Sequence, residues 1–116
     1  MMPTLSTHVL DTSLGRPAEG VQIQLYRVSD GELLAKRLTD ADGRTAGLSL
    51  PVKSDKSDEY EEFRVVFATE DYFRRQDVAE FFYAEVAISF RVGGGLGHYH
   101  VPLLLSPFGY STYRGS

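Results

Sequence analysis

Cysteine is absent from the 116-residue sequence. That excludes a disulfide framework and any thiolate metal site, so the fold must be held by its core or by oligomerisation. Positive charge is in short supply as well. Twelve lysines and arginines face 16 aspartates and glutamates, for a formal net charge of -4. A sequence-independent nucleic-acid binder needs a basic face to neutralise phosphates, and no such face is evident. No apolar run approaches the roughly 20 residues that span a bilayer. The first residues enter a strand-like pattern by about Thr4, without the charged segment and apolar stretch of a secretory leader. These absences predict a soluble, cytoplasmic protein with neither a membrane nor a nucleic acid as partner. What remains, 42% hydrophobic and 24% charged residues, fits a single domain over residues 1–116 that buries roughly 65% of the surface its unfolded chain exposes.

The dominant period along the chain is two, the signature of strands with one buried face. Phe82, Ala84, Val86, Ile88, Phe90 and Val92 share one parity, opposite Tyr83, Glu85, Ser89 and Arg91. Val21, Ile23 and Leu25 alternate with Gln22, Gln24 and Tyr26, and Phe63, Val65 and Phe67 with Arg64, Val66 and Ala68. Shorter strands are expected at 4–11, 32–39, 45–50, 99–105 and 109–113. Turn chemistry separates them at Leu14-Gly15-Arg16-Pro17, Ser29-Asp30-Gly31, Asp40-Ala41-Asp42-Gly43 and the glycine-rich run 93–97. About eight short strands so punctuated predict a sandwich. A short helix is expected within 70–82, with Tyr72, Phe73 and Val78 buried. The charged stretch 53–62 is expected to be a solvent-exposed connection.

Two stretches imitate ligand motifs without their context. The run 93–97 has no following helix pattern, so it reads as a hairpin loop rather than a phosphate cradle. Asp40-Ala41-Asp42-Gly43 resembles part of a calcium loop, but the closing glutamate is missing, because Leu50 and Pro51 occupy that neighbourhood.

Histidine is more informative. The chain has only His8, His98 and His100, all in strand-like segments. Residues 98 and 100 share a parity, so both imidazoles project to one face, opposite Tyr99, Val101, Leu103 and Leu105. Paired imidazoles perform acid–base work or hold a metal, and His8 from another strand would complete a three-nitrogen set of the kind catalytic zinc uses. Spacing alone does not choose between these. Pro102, inside an apparent strand, implies an edge, a bulge or a donor the ladder does not need.

Four stretches carry a resemblance. Leu5-Ser6-Thr7-His8-Val9-Leu10-Asp11 with Gly15 and Pro17-Ala18, Thr39-Asp40-Ala41-Asp42-Gly43-Arg44, the segment 98–107, and the ending Tyr110-Ser111-Thr112-Tyr113-Arg114-Gly115-Ser116 together resemble the transthyretin-like 5-hydroxyisourate hydrolases of urate breakdown. Transthyretin itself, the hormone carrier of the same architecture, lacks the catalytic histidines and the Tyr-Arg-Gly-Ser ending. The resemblance implies an all-β, transthyretin-like sandwich of two four-stranded antiparallel sheets with one short helix. It also implies a homotetramer, a dimer of dimers, with active sites in a central channel.

By the same resemblance the reaction is hydrolysis of the cyclic amide 5-hydroxyisourate to 2-oxo-4-hydroxy-4-carboxy-5-ureidoimidazoline, with no metal or other cofactor. His8 and His100 would orient and deprotonate water, Arg44 would donate to substrate oxygens, and Tyr113, Arg114, Gly115 and Ser116 would close the site. In that closure Arg114 anchors the anionic substrate and Ser116 offers a hydroxyl. His98 is expected to be a loop-end residue. The readings to be weighed against this one are a non-catalytic carrier and a three-histidine zinc hydrolase.

Overall fold

The structure, a computed structural model, describes every residue except 1, 55, 57, 94–96 and 116. In chain order the elements are β1 (Thr4–Asp11), β2 (Arg16–Pro17), β3 (Gln22–Arg27), β4 (Leu33–Leu38), β5 (Arg44–Ser49), β6 (Tyr60–Phe67), α1 (Thr69–Arg75), β7 (Val86–Gly93), β8 (His98–Ser106) and β9 (Gly109–Thr112). They form a two-sheet sandwich. One sheet runs β4-β3-β6-β7; the other runs β2-β1-β8-β9, with β5 also paired to β1.

Alternation in sequence becomes alternation in burial. On β1, Leu5, Thr7, Val9 and Asp11 are buried while Thr4, Ser6, His8 and Leu10 face outward. Ile23 and Leu25 on β3 and Phe63, Val65 and Phe67 on β6 meet Leu5, Val9, Leu103 and Leu105 in the core between the sheets. Each such side chain contributes about 1.5–3 kcal/mol on burial. The helix is tied to β1 by the Tyr72 hydroxyl, which donates to a buried Asp11 carboxylate oxygen at 2.7 Å, and Tyr72 and Phe73 close the end of the core.

The all-β sandwich with one short helix is the expected fold, but its strand pairing differs in detail from two four-stranded antiparallel sheets. The sheet containing β1 has five strands, because β2 and β5 pair with different stretches of the same β1 edge. It is also mixed, since β1 and β8 run parallel from Thr4–His98 to Asp11–Leu105. Period two reports a strand and its buried face; it carries no information about the direction of the neighbour.

Three local expectations are corrected. Phe82 is 73% exposed and Ala84 is also exposed. Their backbone is engaged elsewhere: Phe82 N–H donates to the Pro107 carbonyl at 2.8 Å, and the Ala84 carbonyl accepts from Glu70 N–H at 3.0 Å. The segment 93–97 is not a hairpin, because Gly93 ends β7 in one sheet and His98 begins β8 in the other; residues 94–96 lie outside the described residues. Within 53–62, residues 60–62 belong to β6, and Glu61 is half-buried because it accepts from the buried Arg27 guanidinium at 2.9 Å.

Pro102 lies in β8 between two paired neighbours, so it is not at an edge. It sits between the last β8–β9 ladder pair, Leu103–Thr112, and an isolated bridge, His100–Gly115. The ladder lapses there and needs no donor. Its carbonyl accepts the Thr112 hydroxyl at 2.7 Å.

Candidate active site

The outward face of β1 and its neighbours gathers the polar residues. In the parallel register Thr4 lies beside His98, Ser6 beside His100 and His8 beside Pro102; on the other flank His8 is paired with Arg44 of β5. Directly opposed residues in antiparallel strands place their Cβ atoms about 4.5–5.5 Å apart. His8 and Arg44 are therefore side-chain neighbours, and His100 lies one strand over from His8.

Arg44 is held in place by the turn before it. Asp40 accepts from the Asp42 N–H at 2.9 Å and from the Arg44 N–H at 3.0 Å through one carboxylate oxygen. Gly43 has φ +75°, and any Cβ there would collide with the Val9 carbonyl oxygen, so only glycine lets the turn lie against β1. Val9 N–H in turn donates to the Gly43 carbonyl at 2.8 Å. The Arg44 side chain is exposed, and no carboxylate among the described residues pairs with it.

Two of the three imidazoles are joined through a hydroxyl. Ser6 Oγ lies 2.7 Å from His100 Nδ1 and 2.8 Å from His98 Nε2, and Thr4 Oγ1 lies 2.7 Å from His98 Nδ1. Burial pushes His100 below its ordinary titration range, and the positive charges of Arg44, His8 and His98 push it the same way. Both causes favour the neutral ring over the imidazolium.

Residue 115 returns the C-terminal tail to this strand. Gly115 N–H donates to the His100 carbonyl at 2.8 Å, and a Cβ on residue 115 would run into the His100 ring. The glycine is required by close approach. Arg114 goes elsewhere: its guanidinium lies 4.7 Å from the ring centroid of Tyr99, whose side chain alternates to the opposite face of β8 from the histidines. With Tyr113, Ile88 and Phe90 it lines a cavity of about 250 Å³ that also borders His100.

The structure thus brings His8, Arg44, His100 and Gly115 together, places Tyr113 and Arg114 beside them across β8, and leaves Ser116 outside the described residues. His98 is less peripheral than a loop-end residue, being two hydrogen bonds from His100. Ser6 and Thr4 escaped the sequence reading. Their parity with His8 was visible, but only the parallel register shows which imidazoles they meet.

Among the described residues, no group of three or more histidine, aspartate or glutamate side chains is placed to hold a metal ion. His98 and His100 are linked through the Ser6 hydroxyl, and His8 is paired with Arg44 on the other flank of β1.

The model of the HIUase/Transthyretin family matches residues 5–115. The chain belongs to that family. It is 46% identical to 5-hydroxyisourate hydrolase 2 of Rhizobium meliloti, over 97% of this chain and 95% of the relative. It is 47% identical to 5-hydroxyisourate hydrolase of Mesorhizobium japonicum, over 97% and 91%. Among solved structures, Klebsiella pneumoniae 5-hydroxyisourate hydrolase superimposes with a TM-score of 0.83 at 40% identity, covering 99% of this chain and all of that one. Transthyretin from Sparus aurata gives 0.81 at 30% identity, covering 96% and 95%. The HIUase/Transthyretin fold therefore does not separate enzyme from carrier; side chains must do so.

Proposed function

We propose that the chain hydrolyses 5-hydroxyisourate, acting as a cytoplasmic homotetramer with no metal or other cofactor. One observation carries the reading: a half-buried His100, a second imidazole at His8 and the Arg44 guanidinium, which pairs with no carboxylate among the described residues, occupy one sheet face. High identity to proteins named as hydrolases of this substrate supports it independently of the geometry.

Neutral imidazole takes a proton from water as the hydroxide adds to the ring carbonyl. Arg44, which keeps its proton and presents two parallel N–H donors, stabilises the oxyanion that forms on the carbonyl oxygen. The tetrahedral intermediate then collapses: the carbon–nitrogen bond of the cyclic amide breaks, the ring nitrogen takes the proton from the imidazolium, and 2-oxo-4-hydroxy-4-carboxy-5-ureidoimidazoline leaves. His8 orients the water and the substrate between His100 and Arg44. Tyr113 and Gly115 carry the C-terminal tail past His100; Arg114, held over Tyr99 on the other side of β8, would turn toward the site to anchor the anionic substrate, and to Ser116 we assign the offer of a hydroxyl. The outer sheet face is open in one protomer; a facing copy in the tetramer closes it into a cleft and strengthens every electrostatic contact within it.

The assay generates the unstable substrate in place with urate oxidase and follows its absorbance. Catalytic amounts of the protein should accelerate the decay, and prior treatment with EDTA followed by dialysis should leave the rate unchanged. A spontaneous decay unaltered by the protein would favour a carrier. Loss of activity restored by added zinc would favour the three-histidine hydrolase.

A further inference from the structure

We propose that Ser6 and His98 are positioning residues that lock His100 in the tautomer carrying its proton on Nδ1, leaving Nε2 as the basic nitrogen of the site. The inference rests on the reading of this face as a hydrolytic site, but its first test does not need substrate.

Proton counting carries it. A serine hydroxyl has one proton to donate and lone pairs with which to accept. Ser6 Oγ lies at hydrogen-bond distance from two imidazole nitrogens at once, His100 Nδ1 and His98 Nε2. Both bonds form if the hydroxyl accepts from both rings, which places the His100 proton on Nδ1, or if it accepts from one ring and donates to the other, which gives the chain two polarities. In the first, His100 Nδ1–H donates to Ser6, Ser6 donates to His98 Nε2, and His98 Nδ1–H donates to Thr4 Oγ1 at 2.7 Å. In the second every bond is reversed, and the His100 proton sits on Nε2.

The second polarity puts a proton on the His100 nitrogen that has no hydrogen-bond partner among the described residues; the other arrangements leave a lone pair there, and a base needs that lone pair. His98 ends the chain at an exposed position, where Thr4 fixes its ring from the far side. No equivalent clamp reaches His8 from the described residues. The geometry therefore assigns the base to His100 and not to His8.

The clamp follows from the parallel pairing of β1 with β8. Thr4 and Ser6 on one strand lie beside His98 and His100 on the other in the same order, so hydroxyls and imidazoles alternate along a single row. The charged and titratable groups around that row are Arg44 from β5, His8 from β1 and His98 from β8. All are cationic when protonated, and all oppose protonation of His100. A clamp made of neutral hydroxyls fixes the tautomer without adding an anion that would favour the protonated ring.

Long-range proton–nitrogen correlation spectra of the free protein, recorded where His100 is neutral, read the tautomer directly. The expected result is Nδ1–H at His100. Ser6→Ala should give a mixed tautomer at His100 and lower kcat roughly tenfold, a fraction of the 10²–10⁴ that acid–base catalysis supplies, with KM changed less than about twofold. Ser6→Thr, which keeps the hydroxyl, should restore both. If Ser6→Ala folds poorly, His98→Ala serves instead, with a weakened preference and a several-fold lower kcat. Nε2–H at His100 in the unaltered protein would overturn the proposal. So would a Ser6→Ala protein that keeps the Nδ1–H tautomer, whatever its rate. A protein with the expected tautomer but no hydrolysis would instead count against the function and leave the clamp standing.

Discussion

His100→Ala lowers kcat/KM by about 10²-fold or more, and His8→Ala and Arg44→Ala each do the same, with the fold intact. The size follows from what each side chain supplies. Removing a positioned base forfeits the 10²–10⁴ of general acid–base catalysis. Removing an oxyanion donor costs about 10²–10³ in kcat. All three side chains project from the outer face of the sheet, away from the core formed by Leu5, Val9, Phe63 and Leu103, so thermal unfolding should shift far less than the rate. The three losses should not multiply, because groups acting on one transition state are not additive. His98→Ala should do much less than any of them, since His98 reaches the reaction only through Ser6. If His98→Ala were the most damaging of the four, the pairing of His8 with His100 would be wrong. Arg44→Lys is a sharper variant of the same experiment. It keeps the charge but not the planar fork, and should recover only part of the loss.

Removal of residues 114–116, or a C-terminal affinity tag, abolishes most of the activity, whereas an N-terminal tag is tolerated. The reason lies in how residue 115 touches His100. Its N–H holds the His100 carbonyl, and its missing side chain leaves room for the imidazole. Gly115→Ala is accordingly the smallest change that tests the contact. The added methyl group must displace either the tail or the ring, and a displacement near 1 Å at a reacting group costs on the order of 10²-fold. Tyr113 is 59% exposed, so the tail contributes little to the core, and light scattering should report the same assembly as for the unaltered protein. A tagged or truncated protein with normal assembly and normal turnover would show that the ending is an ordinary tail.

Much of this was legible in the sequence because it depends on parity. The span 4–11 emerges as β1 with the bounds expected, and His98 and His100 share a face because they stand two positions apart on one strand. Arg44 follows a turn whose glycine is demanded by a positive φ and a nearby carbonyl. What was not legible depends on partners. Ser6 resembles any solvated serine until β8 is laid parallel to β1, and the expectation of purely antiparallel sheets hid that register. Arg114 was expected at the substrate; its guanidinium lies over Tyr99, across the strand from the histidines. The charged stretch 53–62 concealed Glu61, half-buried because Arg27 reaches it from β3. In each case a long-range contact outweighed local composition.

The dependence of kcat/KM on pH reaches most directly the claim that an uncharged His100 is the base. A free imidazole titrates at about 6.5. Burial first, then the charges of Arg44, His8 and His98, place His100 below that value. The basic form is the active one, so activity should be full and level through neutral pH and fall only as the pH drops through a midpoint under about 6.5. His100→Ala should remove that acid limb together with the rate. An acid limb centred above pH 7, or a rate that rises as the pH falls, would mean that a protonated imidazole is needed and that His100 is not the base.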